Sequence, residues 1–249
     1  MIFSLWMLIY FTISLYSQSI DISNYQLQWH DEFNSHSLDK TKWDYRYLGK
    51  RKLGYNCKQS VFLKNGHLII RTFFKNDHIC TGMISTQKQF KFRYGFIEVR
   101  AKVPKIKGIQ SAIWLQSDNY GKYINNVSKS GAEIDIMEYI YKKPNMIHFT
   151  IHWNGYGKNH KKKHIAISFP KIKDNKWHIF GFLWDRHSYT LFIDGKRVYT
   201  TYYPISQTFQ YIVLSSEITK WAGPLDISNL PGDFLIDYVR VYQRKDSFQ

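Results

Sequence analysis

From residue 60 to residue 243 the chain is a succession of short apolar or alternating runs broken by turn signals, with no long stripe of 3.6-residue period. Examples are SVFLKNGHLIIRTFF (60–74), GFIEVRAKVP (95–104), MIHFTIHW (146–153), HIFGFLWD (178–185), YTLFIDGKRVYTT (189–201) and FLIDYVRVYQ (234–243). A period of two throws successive side chains to opposite faces, so each run can bury one face only against another sheet. KNG and DGK, set between such runs, are hairpin signatures. The pattern predicts an all-β fold, a β-sandwich of antiparallel strands, with no repeats and no second domain. An aromatic content of 18% suits β-rich packing and also supplies surfaces on which sugars stack.

Residues 1–19 hold no acidic or basic side chain and read as a signal peptide, with Ser17 and Ser19 as the small residues of the cleavage site. The segment lacks a Lys or Arg, and an uncleaved anchor is the alternative. The expectation is one domain over 20–249, secreted to the extracellular space or periplasm, monomeric and free of the membrane after cleavage. Cys57 and Cys80 are compatible with one disulfide there, although the sequence does not show that they meet.

Lys and Arg number 35 against 19 Asp and Glu, for a formal charge of +16, which suggests an acidic partner or a cell surface. No recognition helix or RNP-like pattern accompanies the charge, so a nucleic-acid partner is not expected. KNHKKKH (158–164) reads as a solvated, Lys-rich loop.

Against this background EIDIMEYI (133–140) is anomalous, because Glu133, Asp135 and Glu138 crowd like charges into one strand. Glu133 and Asp135 share a face, while Ile134 and Ile136 point into a core. Glu138 breaks parity and would be buried with the isoleucines unless a β-bulge near Met137 returns it to the other face. The glutamate Cα atoms would then lie about 13 Å apart along the strand. Inward-leaning side chains could close that to roughly the 5–5.5 Å of a retaining glycosidase. An acidic strand at a sheet edge is the structural alternative; the flanking apolar residues and the parity break favour catalysis.

EIDIME resembles the bulged E-x-D-x-x-E signature of glycoside hydrolase family 16, the laminarinase, agarase and carrageenase group. WHDEFN (29–34), LDKTKW (38–43), TGMIST (81–86), FRYGFIEVRAKVP (92–104), AIWLQ (112–116) and the closing FLIDYVRVYQ are similar to other family segments in the same order. The resemblance implies a jelly-roll sandwich with a sugar cleft across one sheet and hydrolysis with retention of configuration. Glu133 would be the nucleophile, Glu138 the general acid/base and Asp135 their support, with no cofactor for catalysis. It also implies a structural calcium ion held by Glu32, the carbonyl of Gly66 and Asp237, oxygen donors that suit a hard cation. Asn56, Trp114, His152, Glu217 and Trp221 become candidate substrate contacts. For Trp114 and His152 core packing is the alternative, and for Glu217 and Trp221 it is loop closure. His148 and His152 share strand parity but lack a third metal ligand.

The substrate implied is a polysaccharide of β-glucan or galactan type. SKSGAE (128–133) lacks the tryptophan that laminarinases carry before the first glutamate, which weakens a β-1,3-glucan assignment; the basic charge leans toward an anionic glycan. A transglycosylase using the same glutamates and a non-catalytic glycan-binding protein are the alternatives.

Overall fold

The computed structural model describes residues 20–245, so the signal-peptide expectation lies outside the described residues. The strands in chain order are β1 (Tyr25–Asp31), β2 (Asp44–Tyr45), β3 (Gly49–Arg51), β4 (Gly54–Asn56), β5 (Val61–Lys64), β6 (His67–Lys75), β7 (His78–Thr81), β8 (Met83–Ser85) and β9 (Gly95–Lys102). There follow β10 (Ile109–Gln116), β11 (Glu133–Ile140), β12 (Met146–Trp153), β13 (Lys161–Ser168), β14 (His178–Trp184), β15 (Tyr189–Ile193), β16 (Lys196–Thr201), β17 (Tyr211–Ile218) and β18 (Gly232–Arg244).

They form two sheets, as the alternation predicts. The seven-stranded sheet runs β13-β12-β11-β10-β17-β8-β2 and is antiparallel throughout. The other is built along β16-β15-β14-β9-β18-β6-β7-β4-β3, with β1 on β18 and β5 on β6. One pair departs from the antiparallel expectation: β4 lies parallel to β7, Tyr55 opposite Cys80. A disulfide joins Cys57 to Cys80 beside that pair, which answers the open question about the cysteines.

Both hairpin signatures form tight turns. Asn65-Gly66 joins β5 to β6 and Asp194-Gly195 joins β15 to β16, each residue with positive φ. That is the turn whose twist matches the flanking strands, and Asn, Asp and Gly tolerate it. A core of buried apolar residues fills the space between the sheets. Ile113, Leu115, Ile134, Ile151 and Leu214 face it from the seven-stranded sheet, and Leu68, Ile97, Val99, Phe182, Phe234 and Val239 from the other. Its opposite parity in β10, β11, β12 and β17 therefore belongs to the outer face of the seven-stranded sheet, where polar residues collect.

The run 158–164 is not the solvated loop its composition suggests, because from Lys161 onward it is the edge strand β13. Lysine on an edge strand blocks further pairing, which is why a strand here resembles a loop in composition.

Candidate active site

Against β10, β11 pairs Gln116 with Glu133 and Trp114 with Asp135, then shifts so that Ile113 faces Met137. Against β12 it pairs Asp135 with Thr150, then shifts so that Glu138 faces His148. Both neighbours thus see one extra residue in β11, the bulge expected near Met137. Ile136 and Met137 both enter the core, at 2% and 0% exposure, and parity is reset. Glu133, Asp135 and Glu138 consequently line one cleft of about 560 Å³.

The three carboxyls sit in different surroundings. Glu133 Oε2 accepts from Gln116 Nε2 at 2.6 Å and from the Tyr156 hydroxyl. Gln116 is oriented in turn by Arg46 at 2.5 Å and the Tyr211 hydroxyl at 2.7 Å, both on its Oε1. Burial and the adjacent Glu133 push the Tyr156 phenol far up, so it remains a donor. Glu138 accepts from Gln110 Nε2 at 2.7 Å and Thr150 Oγ1 at 3.0 Å. Burial, then the charge of Asp135, nevertheless raises its carboxyl well above the usual range, outweighing Thr150 and His152.

Asp135 is raised well above that range too, by burial first and then by Glu133 and Glu217. Its Oδ2 lies 3.2 Å from His152 Nε2, and burial pushes His152 down. On its far side His152 Nδ1 meets His160 Nε2 at 2.8 Å.

Of the other expected substrate contacts, Trp114, His152, Glu217 and Trp221 all line the cleft. Trp114 is also a packed residue, 5% exposed, with its indole N–H donated to Ser215 at 3.1 Å. Glu217 is ion-paired with Arg51 Nε at 2.8 Å. Asn56 is elsewhere: it is buried and donates to the Arg46 carbonyl at 3.1 Å, supporting the chain beneath the arginine that holds Gln116. His148 and His152 do not form a metal pair. His148 is fully buried against Trp221, ring centroids 4.9 Å apart, and burial holds it near a pKa of about 4.

The expected calcium ligands belong to the other sheet, and as folded they do not fit a cation cage. Both Glu32 oxygens are taken by Arg240, at 2.9 and 2.8 Å. Asp237 is paired with Arg100 and with His67 Nδ1 at 3.2 Å, and the same His67 nitrogen lies 2.8 Å from the Gly66 carbonyl. Three basic side chains already engage the oxygens that a calcium ion would need.

Gln110, Gln116, Thr150, Tyr156 and Arg51 were not singled out in the sequence. Gln110 and Gln116 did carry a signal: in IQSAIWLQ they share the parity of Trp114, a polar face on an otherwise apolar strand.

The model of glycosyl hydrolases family 16 matches residues 54–240. The chain belongs to that family. It is 26% identical over 272 residues to the glucan endo-1,3-beta-glucosidase A1 of Niallia circulans, covering 90% of this chain and 39% of that protein. It is 26% identical over 250 residues to the keratan-sulfate endo-1,4-beta-galactosidase of Sphingobacterium multivorum, covering 92% of this chain and 58% of that protein. The chain therefore spans less than two thirds of the length of both relatives. The laminarinase of Flavobacterium sp. UMI-01 superposes with a TM-score of 0.73 at 28% identity, covering 88% of this chain and all of that one. The family 16 jelly roll thus accounts for the two sheets and the cleft.

Proposed function

We propose that the chain is a secreted, endo-acting β-glycosidase that cleaves a β-glucan or galactan by double displacement with retention. The observation that carries this reading is the bulge in β11, which turns Glu133 and Glu138 into one cleft while giving them opposite surroundings. Glu133, held by two donors, attacks the anomeric carbon. Glu138, kept protonated by burial and by Asp135, gives its proton to the leaving oxygen as the glycosidic bond breaks. In the second step Glu138, now a carboxylate, takes a proton from water. The water oxygen displaces Glu133 from the same carbon, so two inversions restore the original configuration. Asp135 supports the pair by its charge and by its contact with His152.

The names of the relatives, a glucan endo-1,3-beta-glucosidase and a keratan-sulfate endo-1,4-beta-galactosidase, support an endo-acting enzyme on a β-glucan or galactan. Reducing ends released from a polysaccharide panel, with proton NMR of the first product, test the reading. The expected result is release by wild type with the β-anomer appearing first, and a loss of at least about a thousandfold in Glu133→Gln. The α-anomer appearing first, or full activity in Glu133→Gln, would contradict it, and glycosyl transfer without new reducing ends would make the protein a transglycosylase.

A further inference from the structure

A retaining cycle asks Glu138 to be an acid in one step and a carboxylate in the next, so a buried partner of fixed polarity suits only one of them. Its two oxygens are served differently. Oε1 accepts from Gln110 Nε2 at 2.7 Å, and an amide N–H can only donate. Oε2 lies 3.0 Å from the hydroxyl of Thr150, which can donate or accept. Which of the two it does depends on its other neighbour, His164 Nδ1, also at 3.0 Å. Thr150 is buried in β12, and His164 stands opposite it on the edge strand β13, where its ring is exposed.

The three groups fit two hydrogen-bonding orders. With Glu138 ionised, His164 Nδ1–H donates to Thr150 Oγ1 and the Thr150 hydroxyl donates to Oε2. With Glu138 protonated both bonds reverse: the carboxyl donates to Thr150, Thr150 donates to a bare Nδ1, and the imidazole proton resides on Nε2. The imidazole is neutral in both orders, so the exchange brings no new charge beside the acid. Its Nε2 is approached by His148 Nδ1 at 3.4 Å, and the exposed ring exchanges its proton with solvent. Burial, followed by the charges of Lys162, Lys143 and His152, pushes His164 down and keeps it in that neutral form. The titratable groups facing Glu138 are Asp135 and Glu133 of its own strand and His152 of β12. Those facing His164 are Lys162 of β13, Lys143 of the β11–β12 turn, and His148 and His152 of β12.

We propose that Thr150 and His164 are positioning residues that give Glu138 a hydrogen-bond partner in both of its roles, accepting from the acid and donating to the carboxylate. Their part in turnover rests on the glycosidase reading; the exchange of donor and acceptor does not. Without His164 the Thr150 hydroxyl loses its acceptor and can only donate to Glu138, which favours the carboxylate over the acid that the first step needs.

Two arms test the proposal. In the first, ring-nitrogen shifts of the whole protein are followed by NMR as pH is raised through the titration of Glu138. His164 Nδ1 is expected to change from acceptor to N–H donor as Glu138 loses its proton, and to keep one form throughout in Glu138→Gln. In the second, kcat/KM is compared on the panel glycan that wild type cleaves, whose leaving oxygen needs the acid, and on a dinitrophenyl glycoside of the same sugar, whose leaving group does not. His164→Phe is expected to lose about tenfold on the glycan and less than about twofold on the dinitrophenyl glycoside. The basic limb of its glycan profile should move to lower pH, whereas Thr150→Val, which removes the donor too, should move it upward. Adding His164→Phe to Thr150→Val should change nothing further, because His164 acts through Thr150.

An equal loss on both substrates, or additive losses in the double variant, would make the role of His164 structural and overturn the proposal. A His164 nitrogen that does not follow Glu138 overturns it whatever the protein cleaves. A response without cleavage of any glycan upholds the exchange and counts against the glycosidase reading. Cleavage by His164→Phe with the rate and pH profile of wild type overturns the exchange and leaves the glycosidase reading standing.

Discussion

Glu138 is the residue at which function and stability oppose each other most plainly. Its carboxyl is raised in the folded protein by burial and by Asp135, while in the unfolded chain it titrates near its ordinary value. Folding at neutral pH must therefore retain a proton that the unfolded chain has released. A raised carboxyl pKa gives stability below the unfolded value and loses it as pH rises through the folded one. Glu138→Gln removes that cost, so it should raise Tm at pH 7 while nearly abolishing turnover of natural glycan. The Tm gain should shrink as pH falls toward about 4, where the carboxyl is protonated in both states. Thermal unfolding of wild type and variant across pH checks this; a Tm gain independent of pH would show that charge is not its origin.

The element that creates the site is the bulge in β11, and one residue decides it. Deleting Met137 would remove the bulge and restore regular alternation with Glu138 still on the cleft face, but one strand step, about 3.3 Å, nearer to Glu133. The buried Met137 side chain is lost from the core at a cost of about 2–5 kcal/mol and the two glutamates change their separation, so the deletion should lower Tm by about 10 °C and leave no measurable activity. Differential scanning calorimetry with the reducing-end assay reads both; an active, fully stable deletion variant would mean that the strand can slip and recover. The bulge was legible in the sequence because parity is a local property: Ile134, Ile136 and Glu138 cannot all face the core. The sandwich and its hairpins were legible for the same reason, through alternation and the Asn-Gly and Asp-Gly pairs. The partners of the carboxyls were less so. Tyr156 reaches Glu133 from a loop, and Arg51 reaches Glu217 across 166 residues, contacts that only the closed fold brings about. Lys162 and His164 resemble loop residues in the sequence because an edge strand carries the polar composition of a loop.

At the scale of the whole molecule, the two sheets hold different ionic arrangements on their outer faces. The cleft sheet concentrates acids in a chain of formal charge +16, whereas on the other side Glu32 is paired with Arg240, and Asp237 with Arg100 and His67. Bidentate arginine pairing is strong and geometrically specific, and it occupies the oxygens a calcium ion would use. Stripping the protein with a chelator should accordingly leave Tm within about 1 °C of its starting value, as a small change in stability implies for a domain of this size. A larger drop, reversed by calcium, would mean that these ion pairs open to admit the ion. The claim that joins both scales is that Glu133 forms a covalent bond to the sugar and Glu138 then activates water. Its most direct measurement is peptide mass spectrometry after incubation with a dinitrophenyl 2-deoxy-2-fluoro-β-glycoside of the sugar that the enzyme cleaves. A glycosyl adduct on Glu133 is the predicted result; an adduct on Asp135 or Glu217, or none while natural substrate is still hydrolysed, would contradict it.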